Sequence, residues 1–136
     1  MTDFVLDNSV VMAWAFDERS DAARAAVHRL EDSTALVPSV WPLEFSNALL
    51  VAERRGRIVE AAVSRIRGIV SSLPIHVIAD HPPRVMTEVL ALARAHGLTV
   101  YDASYLDLAM RQGLPLASLD EDLVAAAKRC GVRLMV

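Results

Sequence analysis

The sequence predicts an α/β fold, a single-domain open parallel sheet flanked by helices, and three observations carry that expectation. Short, wholly apolar segments recur along the chain, and longer segments with apolar residues at helical spacing separate them. Strands separated by helices pair in parallel through helical crossovers. The chain has 136 residues, a length that suits one core, and no repeat, low-complexity tract or Pro/Gly/Ser linker divides it, so residues 1–136 are expected to form one domain.

The elements follow in order. Phe4-Val5-Leu6 is a first strand, and Ser9 to Phe16 a compact helix. Ser20 can cap a second helix, on which Ala22, Ala23, Ala26, Val27 and Leu30 fall at helical spacing. Ala35-Leu36-Val37 is a short strand stopped by Pro38. Pro42 to Arg55 is a third helix ending at Gly56, the usual C-terminal signal. A fourth, Val59 to Ser72, turns Ala62, Ile66, Ile69, Val70 and Leu73 inward and Arg65 and Arg67 outward. Ile75 to Ala79 is strand-like. Pro82 or Pro83 opens a helix to His96 that Gly97 closes, and Thr99 begins one that stops at Gly113. Leu116 to Leu119 is a strand, Asp120 to Arg129 a helix closed by Gly131, and Val132 to Val136 a last strand. Strands this short and apolar suit burial on both faces.

Composition narrows the function. Hydrophobic residues make up 54% and charged residues 23%, with a mean hydropathy of +0.33, which excludes a disordered polyelectrolyte. A membrane span needs about 20 apolar residues in a row, and the longest run free of Asp, Glu, Lys and Arg, Gly68 to Ala79, is twelve residues long. Asp3 and Asp7 interrupt any apolar leader, so no cleaved signal peptide is expected. The lone Cys130 can form no internal disulfide and no thiolate metal site, in keeping with a reducing cytoplasm and no membrane. Net charge is −3, with 14 Lys+Arg against 17 Asp+Glu, whereas a domain holding nucleic acid by global electrostatics is usually basic. Among the basic residues only Lys128 is not Arg, a fork suited to phosphate and carboxylate that high-GC coding would produce equally.

Most acids sit among other charges on helix faces, but four lie in apolar surroundings: Asp7, Glu44, Asp102 and Asp120. A carboxylate beside buried surface is costly unless paired, hydrogen-bonded or bound to a metal. Each also has a plain structural explanation. Asp7 and Asp120 stand at strand-to-helix junctions, where Asp is a favoured N-cap. Asp102 is three residues after Thr99, a capping-box arrangement with Asp in place of Glu or Gln. Glu44, near a helix start, complements the macrodipole. Taken together they converge on the crevice beyond the carboxyl ends of parallel strands, where open sheets bind ligands. Four anions with no Lys nearby repel, and a divalent cation with hard oxygen ligands, Mg²⁺ or Mn²⁺, is the simplest remedy. One Cys and no paired-His spacing disfavour Zn²⁺.

These residues resemble a PIN-domain nuclease, and more specifically the VapC-type toxins of bacterial and archaeal toxin–antitoxin pairs. The resemblance spans nearly the whole chain. It rests on Val5-Leu6-Asp7-Asn8-Ser9, on Pro42-Leu43-Glu44-Phe45-Ser46-Asn47-Ala48-Leu49, on Leu98-Thr99-Val100-Tyr101-Asp102-Ala103-Ser104-Tyr105-Leu106-Asp107-Leu108-Ala109, and on Leu116-Ala117-Ser118-Leu119-Asp120. The third stretch is the most specific. Asn8 stands where many relatives carry a small or hydroxyl residue, and Ser118 where Thr is frequent; neither removes a ligand.

The resemblance implies a Mg²⁺-dependent endoribonuclease (Mn²⁺ being the alternative ion), with Asp7 and Asp102 as direct or water-bridged metal ligands and Glu44 and Asp120 completing a four-carboxylate catalytic pocket. Such a metal would orient a phosphodiester and activate water. Ser9 and Asn47 are candidates to hydrogen-bond the carboxylates, Ser9 being equally a helix-capping hydroxyl and Asn47 sharing a helix face with Glu44. Asp122 is a weaker candidate, equally a solvated first-turn acid. The resemblance further implies a homodimer and a small VapB-type antitoxin whose C-terminal segment lies across the site; a cleft along Val10, Val11, Trp14 and the third helix would take an amphipathic segment, with an antitoxin Arg reaching Asp7 or Asp102.

Other features stay open. Arg54, Arg55, Arg57, Arg65 and Arg67, against Glu60 alone, could follow an RNA backbone, but a solvated face of two helices explains them at least as well. Trp14 and Trp41 could stack on bases, although their apolar neighbours suit the core. Tyr101 and Tyr105, one turn apart, are expected beside the site. His28, His76, His81 and His96 have no ligand spacing. Two further readings compete: a non-catalytic module of the same fold serving binding or dimerisation, and an acid-pocket phosphotransfer domain. The latter lacks the second Asp that a haloacid-dehalogenase-like phosphatase wants where Ser9 stands, and the late-strand Lys of a receiver.

Overall fold

The computed structural model describes residues 3–16 and 19–135. Four strands, β1 (Phe4–Leu6), β2 (Ala35–Pro38), β3 (Ile75–Ile78) and β4 (Leu116–Ala117), form a parallel sheet in the order β3-β2-β1-β4. Val5 pairs with Leu36 on one side and Leu116 on the other, so β1 runs through the middle. Its three apolar residues are buried, as expected of a strand covered on both faces. Between β1 and β4 the strand order reverses, and the crevice beyond their carboxyl ends is where an open α/β sheet places a ligand.

The helices are α1 (Asn8–Ala15), α2 (Asp21–His28), α3 (Trp41–Arg54), α4 (Glu60–Ser71), α5 (Pro82–Arg84), α6 (Leu90–His96), α7 (Val100–Gln112) and α8 (Glu121–Arg129). Several begin on hydroxyl or carboxylate caps. Ser20 Oγ accepts from the Ala23 N–H at 3.0 Å, and Thr99 Oγ1 from the Asp102 N–H at 3.0 Å. Gly97 and Gly113, with φ of 65° and 64°, take the left-handed conformation that ends α6 and α7. α7 packs against β1, β2, β4 and α8, and from Ala103 to Ala109 it is buried on every side. It is the central helix.

The structure departs from the sequence expectation in six places. Pro38 belongs to β2 and pairs with Ile78. β3 is an edge strand with His76 and Val77 exposed, because only one neighbour covers it. Ile69 on α4 is exposed, its neighbours Ile66 and Val70 supplying the buried stripe. The helix between Pro82 and His96 is interrupted by a π-helical turn at Val85–Val89, where the Thr87 hydroxyl occupies the Pro83 carbonyl that a regular α-turn would offer to the Thr87 N–H. β4 ends at Ala117, and the expected last strand reduces to one bridge, Leu134 beside Leu116; Val136 lies outside the described residues.

Behind the sheet, Asp107 is buried on α7 between two cations. Arg84 donates to both its oxygens, Nη2 to Oδ1 at 2.8 Å and Nε to Oδ2 at 3.3 Å, and Arg111 Nε donates to Oδ2 at 2.8 Å. This network ties α5 to α7 and stands apart from the acids described next.

Candidate active site

Asp7 follows β1 directly, and its N–H continues the ladder to the Ala117 carbonyl at 3.0 Å. It occupies the N-cap position of α1, yet its side chain makes no capping bond. Instead Oδ2 accepts two hydroxyls, Ser9 Oγ at 2.6 Å and Ser118 Oγ at 2.8 Å. Ser9 Oγ in turn accepts from the Leu119 N–H at 3.0 Å, and Ser118 Oγ from the Asp120 N–H at 3.1 Å. The segment after β4 is thereby stitched to the start of α1. Ser9 does not cap the helix; it holds Asp7. Burial raises the Asp7 carboxyl above the usual range against the pull of these hydroxyls, and the Asp120 charge adds to the rise.

Glu44 sits in the first turn of α3, where the helix dipole favours an anion. Its Oε1 accepts the Tyr105 hydroxyl at 2.6 Å. Burial and the charge of Asp7 raise its pKa. Tyr105 is fully buried on α7 one turn after Asp102, and its own pKa is pushed up, first by burial and then by that hydrogen bond. Tyr101, the other tyrosine of the pair, is 61% exposed.

Asp102 lies in the first turn of α7. Thr99 caps its N–H, but the reciprocal half of a capping box is absent, so the carboxylate is left facing the other acids. Its pKa is raised to about 6, by burial first and then by the charges of Asp120, Asp7 and Glu44. Asp120 does cap its helix: Oδ1 accepts the Leu123 N–H at 3.0 Å. Its charge nonetheless reaches both Asp7 and Asp102. The four acids therefore form one electrostatic group with no Lys or Arg hydrogen-bonded to any of them among the described residues.

Other candidates lie elsewhere. Asn47 is exposed and hydrogen-bonds none of these carboxylates; it lines a groove between α1 and α3 with Met12, Phe16, Ala48, Val51 and Arg55, about 360 Å³ in volume. Asp122 is exposed in the first turn of α8. Val10 and Val11 are buried core residues, and the groove beside α3 is walled by Met12 and Phe16 in their stead. Trp41 is buried and stacked on Phe45 at 5.4 Å, which removes it as a base-stacking surface. Trp14 is half-buried against the core. The five Arg between residues 54 and 67 are all exposed, and the Arg57 guanidinium lies 4.8 Å over the Phe16 ring. Ser118 and Tyr105 are the site residues whose partners the sequence did not reveal: one stood out only as a departure from Thr, the other only as a neighbour.

No three His, Cys, Asp or Glu side chains among the described residues are arranged to hold a metal ion. The donor set nevertheless fits a hydrated one. All four side chains offer hard oxygens, burial and then mutual repulsion raise the pKa of three of them, and Mg²⁺ typically binds through one or two carboxylates while keeping several waters.

Among known families, the chain matches the PIN domain over residues 4–129. It is 33% identical over 124 residues to "Ribonuclease VapC3" of Pyrobaculum aerophilum, covering 88% of this chain and 90% of that protein. It is 41% identical over 86 residues to "Exonuclease VapC9" of the same organism, covering 62% of this chain and 61% of the relative. The crystal structure of PAE2754, also from Pyrobaculum aerophilum, superposes with a TM-score of 0.70 at 30% identity, covering 92% of this chain and 84% of the other. VapBC2 from Rickettsia felis, solved with a promoter DNA fragment, gives a TM-score of 0.66 over 97% and 96% of the chains at 13% identity, a likeness of fold alone.

Proposed function

This chain belongs to the PIN domain family, and we propose that it is a divalent-metal-dependent endoribonuclease, the toxin of a toxin–antitoxin pair. The observation that carries the chemistry is Asp7, a buried carboxylate beyond the central strand, held by Ser9 and Ser118 and repelled by the acids around it. A group of this kind is stable when a cation offsets it. Asp7 and Asp102 would hold the ion directly or through water, with Glu44 and Asp120 at the rim; Mg²⁺ is the first choice and Mn²⁺ the second. A bound cation would supply charge stabilisation for the phosphodiester and lower the pKa of a water.

The chain's own residues do the rest. Ser9 and Ser118 fix the orientation of Asp7, Tyr105 fixes Glu44, and the Thr99 cap anchors the first turn that carries Asp102. Asp102, with a pKa near 6, is ionised at neutral pH and ready to accept a proton or a cation. Relatives carry both ribonuclease and exonuclease names. The endonucleolytic mode is our reading, and a circular RNA, which offers no ends, tests it. The α1–α3 groove is the seat we assign to the C-terminal segment of a VapB-type antitoxin, whose Arg would neutralise the carboxylates, and we take the protein to act as a cytoplasmic homodimer. None of the described helices is long and apolar enough to cross a membrane.

Cleavage of total cellular RNA and of a circular RNA by purified protein, with Mg²⁺, Mn²⁺ or EDTA and beside Asp102→Asn, is the test. Discrete fragments that need both the metal and Asp102 are expected. Folded, metal-loaded wild type that leaves RNA intact would favour the non-catalytic binding module.

A further inference from the structure

Three of the pocket acids each have one oxygen already engaged. Asp7 receives both the Ser9 and Ser118 hydroxyls on the same atom, Oδ2. Asp120 uses Oδ1 for the Leu123 N–H, and Glu44 uses Oε1 for the Tyr105 hydroxyl. Glu44 Oε2 is left without a hydrogen bond from any described residue. These bonds are rigidly mounted. Tyr105 has no exposed surface and lies on the helix that carries Asp102, while Ser118 is buried at the end of β4. The core does not need the phenol hydroxyl, since a phenylalanine ring would pack as well, and a buried hydroxyl is costly unless it is hydrogen-bonded. The hydroxyl donates to Glu44, and the Asn8 N–H lies beside it.

Each carboxylate oxygen has two lone pairs: both are taken on Asp7 Oδ2, and one of the two on Glu44 Oε1, so two-oxygen ligation of a cation is blocked at Asp7 and opposed at Glu44. Ca²⁺ takes roughly six to eight oxygens at about 2.3–2.6 Å and readily uses both oxygens of one carboxylate, whereas Mg²⁺ demands near-octahedral geometry at about 2.0–2.1 Å. We propose that the hydroxyls of Tyr105 and Ser118 are positioning groups for cation selection: by taking one lone pair of Glu44 Oε1 and, with Ser9, both lone pairs of Asp7 Oδ2, they disfavour two-oxygen ligation at both acids and weight the pocket toward Mg²⁺ and Mn²⁺ over Ca²⁺. This rests on the metal-site reading above, and the experiment separates the two.

Calorimetric titration of Mn²⁺ and of Ca²⁺ into metal-free wild type, Tyr105→Phe and Ser118→Ala tests it, with urea unfolding of each in parallel. Wild type should bind Mn²⁺ more tightly than Ca²⁺. Tyr105→Phe should narrow that preference about tenfold, the scale on which groups supporting a metal ligand act. A preference unchanged in Tyr105→Phe, with only the urea midpoint moved, overturns the proposal and leaves the hydroxyl a packing group. If Tyr105→Phe does not fold, Ser118→Ala decides: it frees one of the two bonds on Asp7 Oδ2 and should narrow the preference in the same direction, and an unchanged preference overturns the proposal. Wild type binding neither cation would overturn the metal-site reading and this inference with it. Wild type binding both, with the variants indistinguishable from it, would overturn this inference alone.

Discussion

Ser118 and Asp7, 111 positions apart in sequence, are joined at the carboxyl ends of adjacent parallel strands by a hydrogen bond of 2.8 Å between the Ser118 hydroxyl and Asp7 Oδ2. The same hydroxyl accepts the Asp120 N–H. One side chain thus satisfies a buried carboxylate and orders the segment that presents the next acid. Ser118→Ala should destabilise the metal-free protein by about 1.5–3 kcal/mol, the scale of a hydrogen bond to a charged group. Ser118→Thr, which keeps the hydroxyl, should recover most of that. Urea midpoints of the two variants decide it; equal losses would show that the small side chain and not the hydroxyl matters.

Asp102 should make the apo protein less stable as pH rises. Its folded pKa, about 6, lies above the ordinary aspartate value of 3.8, so the folded state releases this proton later than the unfolded one. The stabilising contribution is complete below about pH 4 and is lost as pH climbs through 6. Asp102→Asn should therefore be more stable than wild type at pH 7.5 without divalent ions, by about 1 kcal/mol once its partial exposure is discounted. That advantage should vanish near pH 4 and shrink when Mg²⁺ is added to wild type. Thermal melts across pH, with and without Mg²⁺, measure it. No gain at pH 7.5 would mean the acids are already screened.

What the sequence made legible here is what local pattern encodes. The apolar run before Asp7 marks a strand end, and Thr99, Ser20, Asp120, Gly97 and Gly113 mark helix boundaries, because caps and left-handed turns depend on neighbouring residues alone. The partners of the acids were not legible in that way. Tyr105 reaches Glu44 across 61 positions, and Ser118 reaches Asp7 across 111; no periodicity announces either, since helix packing brings the first pair together and the pairing of β1 with β4 the second. Asn47 shows the converse. Its spacing from Glu44 puts it on a shared face of an ideal helix, yet it turns into the α1–α3 groove. The expected last strand reduces to one bridge because β4 offers it a single residue: Leu116 donates to the Arg133 carbonyl and accepts from the Met135 N–H, and the pairing ends there.

Asp107 should behave with the opposite sign to Asp102. Burial pushes its pKa upward, but the hydrogen bonds and charges of Arg84 and Arg111 outweigh that and hold it below the usual value. The stability it supplies is present at neutral pH and is lost as pH falls from about 4 through its depressed folded value. Asp107→Asn should cost about 2 kcal/mol at pH 7, because it leaves two guanidinium groups facing a neutral amide. The cost should fade in acid. Urea titrations at pH 7 and pH 3 check both statements, and RNA cleavage by the folded variant should remain near wild type, since this network does not touch the pocket acids.

The arginines beyond α3 offer a test of where the substrate strand runs. Arg55 and Arg57 line the groove between α1 and α3, whose first turns carry Ser9 and Glu44, while Arg57 and Arg65 line a second hollow of about 260 Å³ with Phe16. Arg67 lines neither. A phosphate backbone leaving the pocket along α1 and α3 would therefore meet Arg55 and Arg57 before the others. In the Asp102→Asn background, where binding can be followed without cleavage, Arg55→Ala with Arg57→Ala should weaken single-stranded RNA binding evenly across sequences. It should also flatten the plot of log affinity against log salt by about 0.7 for each phosphate no longer neutralised. Arg67→Ala should change neither quantity. Fluorescence anisotropy between low and moderate salt reads both affinity and slope. A slope left unchanged by the double substitution would make these arginines a solvated helix face, and an effect from Arg67→Ala as large as theirs would point to diffuse attraction in place of a track along the groove.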